Sequence, residues 1–396
     1  MTLRVCVVLL FCMVLLAANE KAASPTTTFI EELIADKYGY AYGVAAGDLD
    51  GDGDLDLTSC NTTGNALYWF ANDGKGAFKR HFIQQNEQGW FERHAIGDIN
   101  GDKLPDVAVV KNLHGHLVWF ENSGHPATDE QWKRHVISTD MKRAYDVALV
   151  DLNGDGKLDA VATAWVGNHL AWFANPGVTT AGQEWKKEII DPQILESRTI
   201  RIADFNGDGK SDLMSTGRVG NLTAWYEQGA AGQPWKKHVV DDKSPQPIHG
   251  EPADMDGDGD SDVLMALGML APVDQPETNQ IVWYENVGKP GTGGEWKKHL
   301  VGPLSYAFEA VSADLDGDKD LDVVATAWGG AGKVVWFENT GDSKLGWKEH
   351  VLKEKWTRAN QPIVADLDGD RRPDIAATAE NGSNELRWWR NQGKSK

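Results

Sequence analysis

Apolar residues recur along this chain in short runs, such as Asp159-Ala-Val-Ala-Thr-Ala, separated by Gly, Asn and Pro. The runs are rich in β-branched and aromatic side chains, which predicts short β-strands. Apolar residues at consecutive positions predict burial on both faces, as when sheets stack around an axis. One polar pattern, Asp-x-Asp/Asn-Gly-Asp-x-x-x-Asp, punctuates the runs and begins at Asp48, Asp98, Asp151, Asp204, Asp254, Asp314 and Asp366. The intervals are 50, 53, 53, 50, 60 and 52 residues. Each repeat predicts four strands. Strand a precedes the acidic loop (Arg201-Ile-Ala), and strand b follows it (Asp322-Val-Val-Ala-Thr). Strand c carries a Trp-aromatic pair, from Trp69-Phe70 to Trp388-Trp389. Strand d is a Trp-Lys-Lys-His-Val-Val type segment, as at Trp132, Trp185, Trp235, Trp296 and Trp347, with Phe78 in the first repeat.

Seven four-stranded units of about 50 residues predict an all-β, seven-bladed β-propeller over 24–396, a single domain without a linker. The last unit ends after strand c (Leu386-Arg-Trp-Trp-Arg), while an orphan d-like strand, Phe29 to Ile34, stands before the first. Their pairing would complete the last blade and leave no open edge. The competing open solenoid would need polar capping repeats, and none is legible. Residues 1–23 have the form of an export signal: Arg4, an apolar run from Val5 to Ala18, then small residues at Ala22 and Ala23. A secreted, periplasmic or cell-surface location follows, with no membrane insertion after signal removal; a retained anchor is the alternative. Cys6 and Cys12 lie in that segment, which leaves Cys60 alone and no internal disulfide.

Hydrophobic residues make up 41% of the chain and charged residues 25%, enough for a packed core. The 59 acidic against 39 basic residues give a net charge of −20, which argues against nucleic acid or an anionic membrane as partner. The seven loops hold 28 of the acidic residues, and seven divalent ions would bring −20 to −6. Calcium wants six to eight oxygens on a flexible loop. Positions 1, 3, 5 and 9 of the pattern offer carboxylates or an amide. The sets are Asp48, Asp50, Asp52 and Asp56; Asp98, Asn100, Asp102 and Asp106; Asp151, Asn153, Asp155 and Asp159; and Asp204, Asn206, Asp208 and Asp212. They continue with Asp254, Asp256, Asp258 and Asp262; Asp314, Asp316, Asp318 and Asp322; and Asp366, Asp368, Asp370 and Asp374. Position 4 is always Gly, as a turn at positive φ requires. Position 2 is always apolar and is expected to tuck under the blade, while position 7 varies as if only its backbone carbonyl mattered. Asn at position 3 in the second to fourth loops lowers their charge and predicts weaker binding. A plain Asp-Gly turn is the alternative, but so many clustered acids repel without a cation.

On these loops, and over residues 29–392, the chain resembles the FG-GAP/VCBS repeat family, found in integrin α-subunit propellers and many exported bacterial proteins. The resemblance implies a calcium-binding propeller and says less about activity. Up to seven structural calcium ions are expected.

In an up-and-down blade the acidic a–b turns share one face, which leaves the d–a and b–c connections free on the other. Trp90, Trp165, Trp328 and Trp356, the four tryptophans outside the repeated strand positions, all fall there. So do His94, His114, His116, His169 and His249, whereas five histidines recur in strand d and predict packing or surface pairing. Five residues before each loop stand Gly43, Arg93, Asp146, Thr199, His249, Glu309 and Gln361; eight before stand Tyr40, Trp90, Arg143, Glu196, Gln246, Tyr306 and Arg358. Six after each loop come Thr62, Asn112, Trp165, Arg218, Gly268, Trp328 and Glu380. These varying positions in a repeating frame predict rings around a channel mouth opposite the calcium loops, suited to a polar, sugar-like or anionic ligand. A solvated rim without a ligand is the alternative. The proline-bearing stretch from Gly268 to Gln280 is expected either to overhang the mouth or to be a surface insertion.

Two function classes follow. The first is an exported binding module for an extracellular glycan or protein, acting as a monomer; no Gly-x-Ser-x-Gly, His-Glu-x-x-His or phosphate loop is present. The second is a carbohydrate lyase or dehydratase. There His249, Tyr306 or Tyr145 would exchange protons and Arg93, Arg143 or Arg198 would hold an anion. In either class Asp146, Glu309 and Arg358 complete the ligand-binding set, and His94, His114, His116 and His169 are expected to gather a transition metal instead.

Overall fold

The computed structural model describes residues 27–394 except 129–131, 178–182, 230–232, 289–290 and 342–345. The expected signal, with Cys6 and Cys12, lies outside the described residues. Each of the first six repeats folds as an antiparallel four-stranded sheet in chain order, as in blade 1: Ala41–Gly47, Asp56–Asn61, Ala66–Asn72 and Phe78–Gln84. Strand a of the later blades runs Phe91–Gly97, Ala144–Val150, Ser197–Ala203, Pro247–Ala253, Ala307–Ala313 and Ala359–Ala365. Each strand a packs on the next, and that of blade 7 packs on that of blade 1, so seven blades close a ring. The closure is the one the ends predict. Thr27–Ala35 pairs antiparallel with Glu385–Lys394, Ile30 opposite Arg390, and Arg387 donates to Glu31 at 2.8 Å.

Strand b is buried at every position in all seven blades, which explains its unbroken apolar runs. Among the described residues the buried hydrophobic side chains form seven clusters, each centred between two adjacent blades. Phe205, Met214 and Trp225 of blade 4, for example, meet Val263, Met265 and Tyr284 of blade 5. A single core stops growing near ~250–300 residues; several small ones avoid that limit. The strand-d histidines stack on strand-c tryptophans, Trp119 on His135 at 4.0 Å and Trp225 on His238 at 3.9 Å. Their Nε2 atoms meet a strand-c glutamate, Glu121 at 2.6 Å and Glu227 at 2.9 Å. Packing and pairing therefore both account for that recurrence.

Strand a positions the axis. Its first four residues are buried and its last three half-buried in six blades; in blade 7 only Gln361 departs from this. A bulge sits between its first and fourth residues, as between Ala144 and Val147 opposite Ala164 and Ala162. The bulge places two residues opposite one of strand b.

Candidate functional site

The acidic loops share one geometry. The position-4 glycines have φ between 70° at Gly207 and 83° at Gly101. At Gly51, Gly101 and Gly257 an added Cβ would meet nothing within 4 Å, so backbone conformation alone selects glycine. In every loop the position-1 aspartate accepts the position-6 N–H, from 2.7 Å (Gly209 to Asp204) to 3.1 Å (Gly53 to Asp48). The position-9 aspartate is buried, and its Oδ2 accepts the position-2 N–H, as from Leu49 to Asp56 at 3.0 Å. Burial pushes the carboxyls of Asp106, Asp212, Asp262, Asp322 and Asp374 up to about 7. Positions 1, 3 and 9 bring one oxygen each within 4.8 Å of the others in blades 1, 5, 6 and 7: Asp48, Asp50, Asp56; Asp254, Asp256, Asp262; Asp314, Asp316, Asp322; Asp366, Asp368, Asp374.

The donor set fits a hard cation. Hard oxygens converge, and in blade 5 the Oδ1 of Asp254 is buried without a partner among the described residues. Position 5 also bonds within the loop. Its Oδ1 accepts the position-7 N–H in all seven loops, as from Lys157 to Asp155 at 3.0 Å. In blades 3 and 4 its Oδ2 also takes the position-7 lysine, Lys157 at 2.7 Å and Lys210 at 3.0 Å; in blade 7 Asp370 takes Arg372. Position 7 thus has a side-chain role that its variability hid.

Among the described residues, an asparagine three residues after the strand-c tryptophan clasps the loop to its neighbour in five blades, a feature sequence reasoning missed. Asn122 donates its backbone N–H to Asp106 (2.9 Å) and its Nδ2 to the Leu49 carbonyl of blade 1 (2.8 Å). Asn72, Asn175, Asn286 and Asn391 reach Leu367, Ile99, Phe205 and Leu315 in the same way. The signal was present: Asn recurs at this place in six repeats, with Gln228 in the fourth.

The axis is filled by polar side chains from strand a. Arg93 of blade 2 grips Glu309 of blade 6 with both terminal nitrogens, and Arg201 of blade 4 joins Glu309 (3.0 Å) to Asp146 of blade 3 (2.9 Å). Beside this network the Tyr42 and Tyr145 hydroxyls lie 2.7 Å apart, Tyr145 lies 3.1 Å from Nε2 of His249, and Thr199 lies 2.5 Å from its Nδ1. Burial holds His249 well below the usual histidine range and pushes His94 down to about 4. It raises Glu92 to about 8 against the pull of Arg198, Arg143 and Arg93. The ring expected at an open mouth is thus a closed plug: Arg93, Asp146, Thr199, His249 and Glu309 are at most 3% exposed. The bulge explains this, because it turns the ring residues inward to meet across the axis. A cavity of about 450 Å³ lies below the plug, lined by Arg201, Glu251, Ser312 and aliphatic residues, on the half-exposed, acidic-loop side of strand a.

On the opposite face, the residues eight before and six after each loop are joined backbone to backbone, as Trp165 to Arg143 (2.9 Å) and Trp328 to Tyr306 (2.8 Å). Six of the former have positive φ without being glycine: Trp90, Arg143, Glu196, Gln246, Tyr306 and Arg358. Strain of this kind persists where the surroundings fix it. Arg143 lies over Trp90 (5.3 Å) and Trp165 (5.2 Å), and Arg198 over Trp165 (4.4 Å) and Tyr145 (4.3 Å). Arg358 lies over Trp328 at 4.5 Å. Nη1 of Arg143 and Nε of Arg198 are buried without a partner among the described residues. Leu113, Val166, Leu195, Val219, Leu270 and Val273 expose 41% to 58% of their surface from the same connections of blades 2–5.

Other expected residues separate. Outside the acidic loops no three His, Cys, Asp or Glu side chains converge among the described residues, so the expected transition metal finds no cluster. His94 meets Thr58 (2.6 Å), His169 meets Met141 (3.2 Å), and the His114 and His116 rings lie 5.6 Å apart with their planes tilted by 52°. Tyr306 stays on the rim, bonded through its N–H to Asn279 at 3.1 Å. Trp356 is a core residue against Trp389 at 5.5 Å. The Gly268 to Gln280 stretch is pinned by Asn279, which donates Nδ2 to the Pro272 carbonyl at 2.9 Å.

Six overlapping segments of the chain, residues 48–109, 98–162, 151–215, 204–265, 254–325 and 314–377, match the FG-GAP-like repeat. The chain is similar to a solved virginiamycin B lyase from Staphylococcus aureus at 13% identity, covering 92% of this chain and 99% of that one, TM-score 0.60. It is also similar to an Agrocybe aegerita lectin that recognises non-reducing terminal N-acetylglucosamine, at 17% identity, 93% and 86% coverage and TM-score 0.53. The BBS1N chain solved with ARL6DN matches at 12% identity, 93% and 97% coverage and TM-score 0.55. At such identities the likeness is one of fold. No curated protein sequence matches the chain.

Proposed function

The chain belongs to the FG-GAP-like repeat family, and on that premise we propose that it is an exported, calcium-stabilised propeller that binds an acidic glycan on the face opposite the acidic loops. The ladder Trp90–Arg143–Trp165–Arg198–Tyr145 carries this reading. Indole faces stack on the C–H face of a sugar ring, and a planar guanidinium donates in pairs to a carboxylate or sulfate. The N–H groups of Arg143 and Arg198 that lack a partner among the described residues are the donors such an anion would take. Connections on a rigid scaffold are where such groups belong. The loops supply the stiffness: positions 1, 3 and 9 hold calcium, with a backbone carbonyl and water completing the shell.

The test is a glycan array in millimolar calcium, followed by calorimetry with the best binder. Trp165→Ala and Arg143→Ala are expected to weaken binding at least about tenfold. An array without acidic hits, or affinity indifferent to both variants, overturns the reading. The exposed aliphatic crescent from Leu113 to Val273 favours a protein ligand as the second reading, which predicts array silence and a partner lost with Val219→Ser. A lyase would use Tyr145 and His249, but both ring nitrogens of His249 already have partners and the residue is fully buried. Release of unsaturated uronide in an ultraviolet assay, abolished by His249→Ala, would establish that alternative.

A further inference from the structure

The axial cavity opens toward the acidic-loop end, so it is separate from the glycan face and a claim about it does not rest on that reading. Its volume of about 450 Å³ falls within the range of small-molecule sites. The wall is mixed. Ile96, Leu149, Ile363 and Val364, from blades 2, 3 and 7, make a largely aliphatic half that also carries His94, Asp146 and Gln361, while Arg201, Glu251 and Ser312, from blades 4 to 6, make a more polar one beside Ile202 and Val311.

Most charged groups at the cavity are already matched. Asp146 accepts the Val147 N–H at 3.0 Å and both the Ile200 N–H and Arg201 on its other oxygen. Glu309 has Arg93 on both oxygens and Arg201 on one. Glu251 differs. Its Oε1 accepts the N–H (2.6 Å) and the hydroxyl (2.8 Å) of Ser312, but its Oε2 has no hydrogen-bond partner among the described residues. Asp146, Glu251 and Glu309 against Arg93 and Arg201 leave one negative charge, and it falls on Glu251. His94, which also lines the cavity, stays uncharged near neutrality. Burial pushes the Glu251 carboxyl up, and the Ser312 bonds and the more distant Arg201 offset this only in part.

We propose that the axial cavity binds an organic monocation with a compact apolar body, its ammonium group on Oε2 of Glu251 and its hydrocarbon against the aliphatic half. A bare metal ion is a poor match, because most of the lining is aliphatic and the Asp146 and Glu309 carboxylates are already held by arginines, where a hard cation needs six or more oxygens. An anion is opposed by the net charge. The acidic hairpins around the opening favour entry of cations over anions.

The probe is 1-adamantylammonium, a rigid monocation small enough for the cavity, with 1-adamantanol and adamantane-1-carboxylate as neutral and anionic isosteres. Calorimetry on the full chain in millimolar calcium should show one saturable site for the ammonium, weaker binding of the alcohol and none of the carboxylate. Glu251→Gln keeps the acceptor for Ser312 and removes the charge, and should weaken the ammonium at least about tenfold while leaving the alcohol unchanged. Ile363→Phe should lower the affinity of both by filling the cavity. Absence of saturable ammonium binding, or binding that survives Glu251→Gln undiminished, overturns the proposal. Equal affinity for the carboxylate does the same. Because the glycan array reads the other face, failure of either result leaves the other standing.

Discussion

Replacing Glu309 by Gln tests whether the polar plug holds the ring together. The carboxylate is 1% exposed and, among the described residues, is the sole anionic partner within bonding distance of Arg93, itself 1% exposed. Arg201 keeps Asp146 at 2.9 Å, so the loss falls mainly on Arg93. An amide offers one acceptor where two guanidinium groups now converge, and leaves a buried positive charge uncompensated. Breaking a buried pair in this way costs about 3–5 kcal/mol. If the described ring melts as one unit, an unfolding entropy of about 2.1 cal/mol/K per residue gives roughly 0.8 kcal/mol/K for the chain. The melting temperature should then fall by about 4–6 °C. Calorimetry and urea unfolding followed by tryptophan fluorescence measure both quantities. The decisive comparison is the double variant Arg93→Met/Glu309→Met, because removing both charges together is often close to neutral. It should recover most of what Glu309→Gln loses. A loss below about 1 kcal/mol in the single variant, or single-site effects that simply add within about 0.5 kcal/mol, would refute the argument that the pair is coupled through burial.

Chelation of calcium should lower the melting temperature, each site at a hundredfold excess over its Kd having contributed about 2.7 kcal/mol; a melt unchanged in EDTA contradicts the loop assignment. Terbium titration should separate two affinity classes, the all-aspartate loops of blades 1, 5, 6 and 7 above the Asn100, Asn153 and Asn206 loops. Asn122→Ala should destabilise by about 1–3 kcal/mol through the orphaned Leu49 carbonyl. Gln228→Ala, where no such clasp is described, should stay within about 0.5 kcal/mol, and equal losses would argue against the clasp. The pH response has two opposed parts. His94, lowered from 6.5 to about 4, contributes stability present above pH 6.5 and lost as pH falls toward 4, about 3 kcal/mol in all. Glu92, raised from 4.5 to about 8, contributes stability present below pH 4.5 and lost as pH rises through 8. Urea midpoints against pH should lose the first slope in His94→Gln and the second in Glu92→Gln; slopes unaltered in both variants rule the assignment out.

Much of this was legible because it repeats. The number of blades, the closing strand and the position-4 glycines follow from recurrence alone, since each copy must solve the same local problem. The backbone pairing of residues eight before and six after each loop follows the same register, so the recurring frame placed both sets on one face, and the structure adds that they bond to one another. What recurrence cannot show is contact across the axis. Arg93 and Glu309 are 216 positions apart, and nothing local says that they meet. The bulge in strand a was likewise silent, and it turns the expected open mouth into a plug. Arg201 and Glu251 had a usable signal: they are charged at a strand position that holds Ala45, Ala95, Ala148, Val311 and Ile363 in other blades. The pairing of Lys157 and Lys210 with the loop aspartates depends on side-chain reach, which a motif does not encode.

The sharing of blade 7 between Thr27–Ala35 and Glu385–Lys394 has a consequence for biosynthesis. The earliest strand to emerge must wait for the latest one, so every blade but the seventh can mature while the polypeptide is still growing. The entropic toll of that long wait rises only with the logarithm of the separation, yet no truncated product can satisfy it. A ribosome that stalls before Glu385 releases a crescent with bare backbone at both tips, a natural recruit for chaperones or for a second unfinished copy.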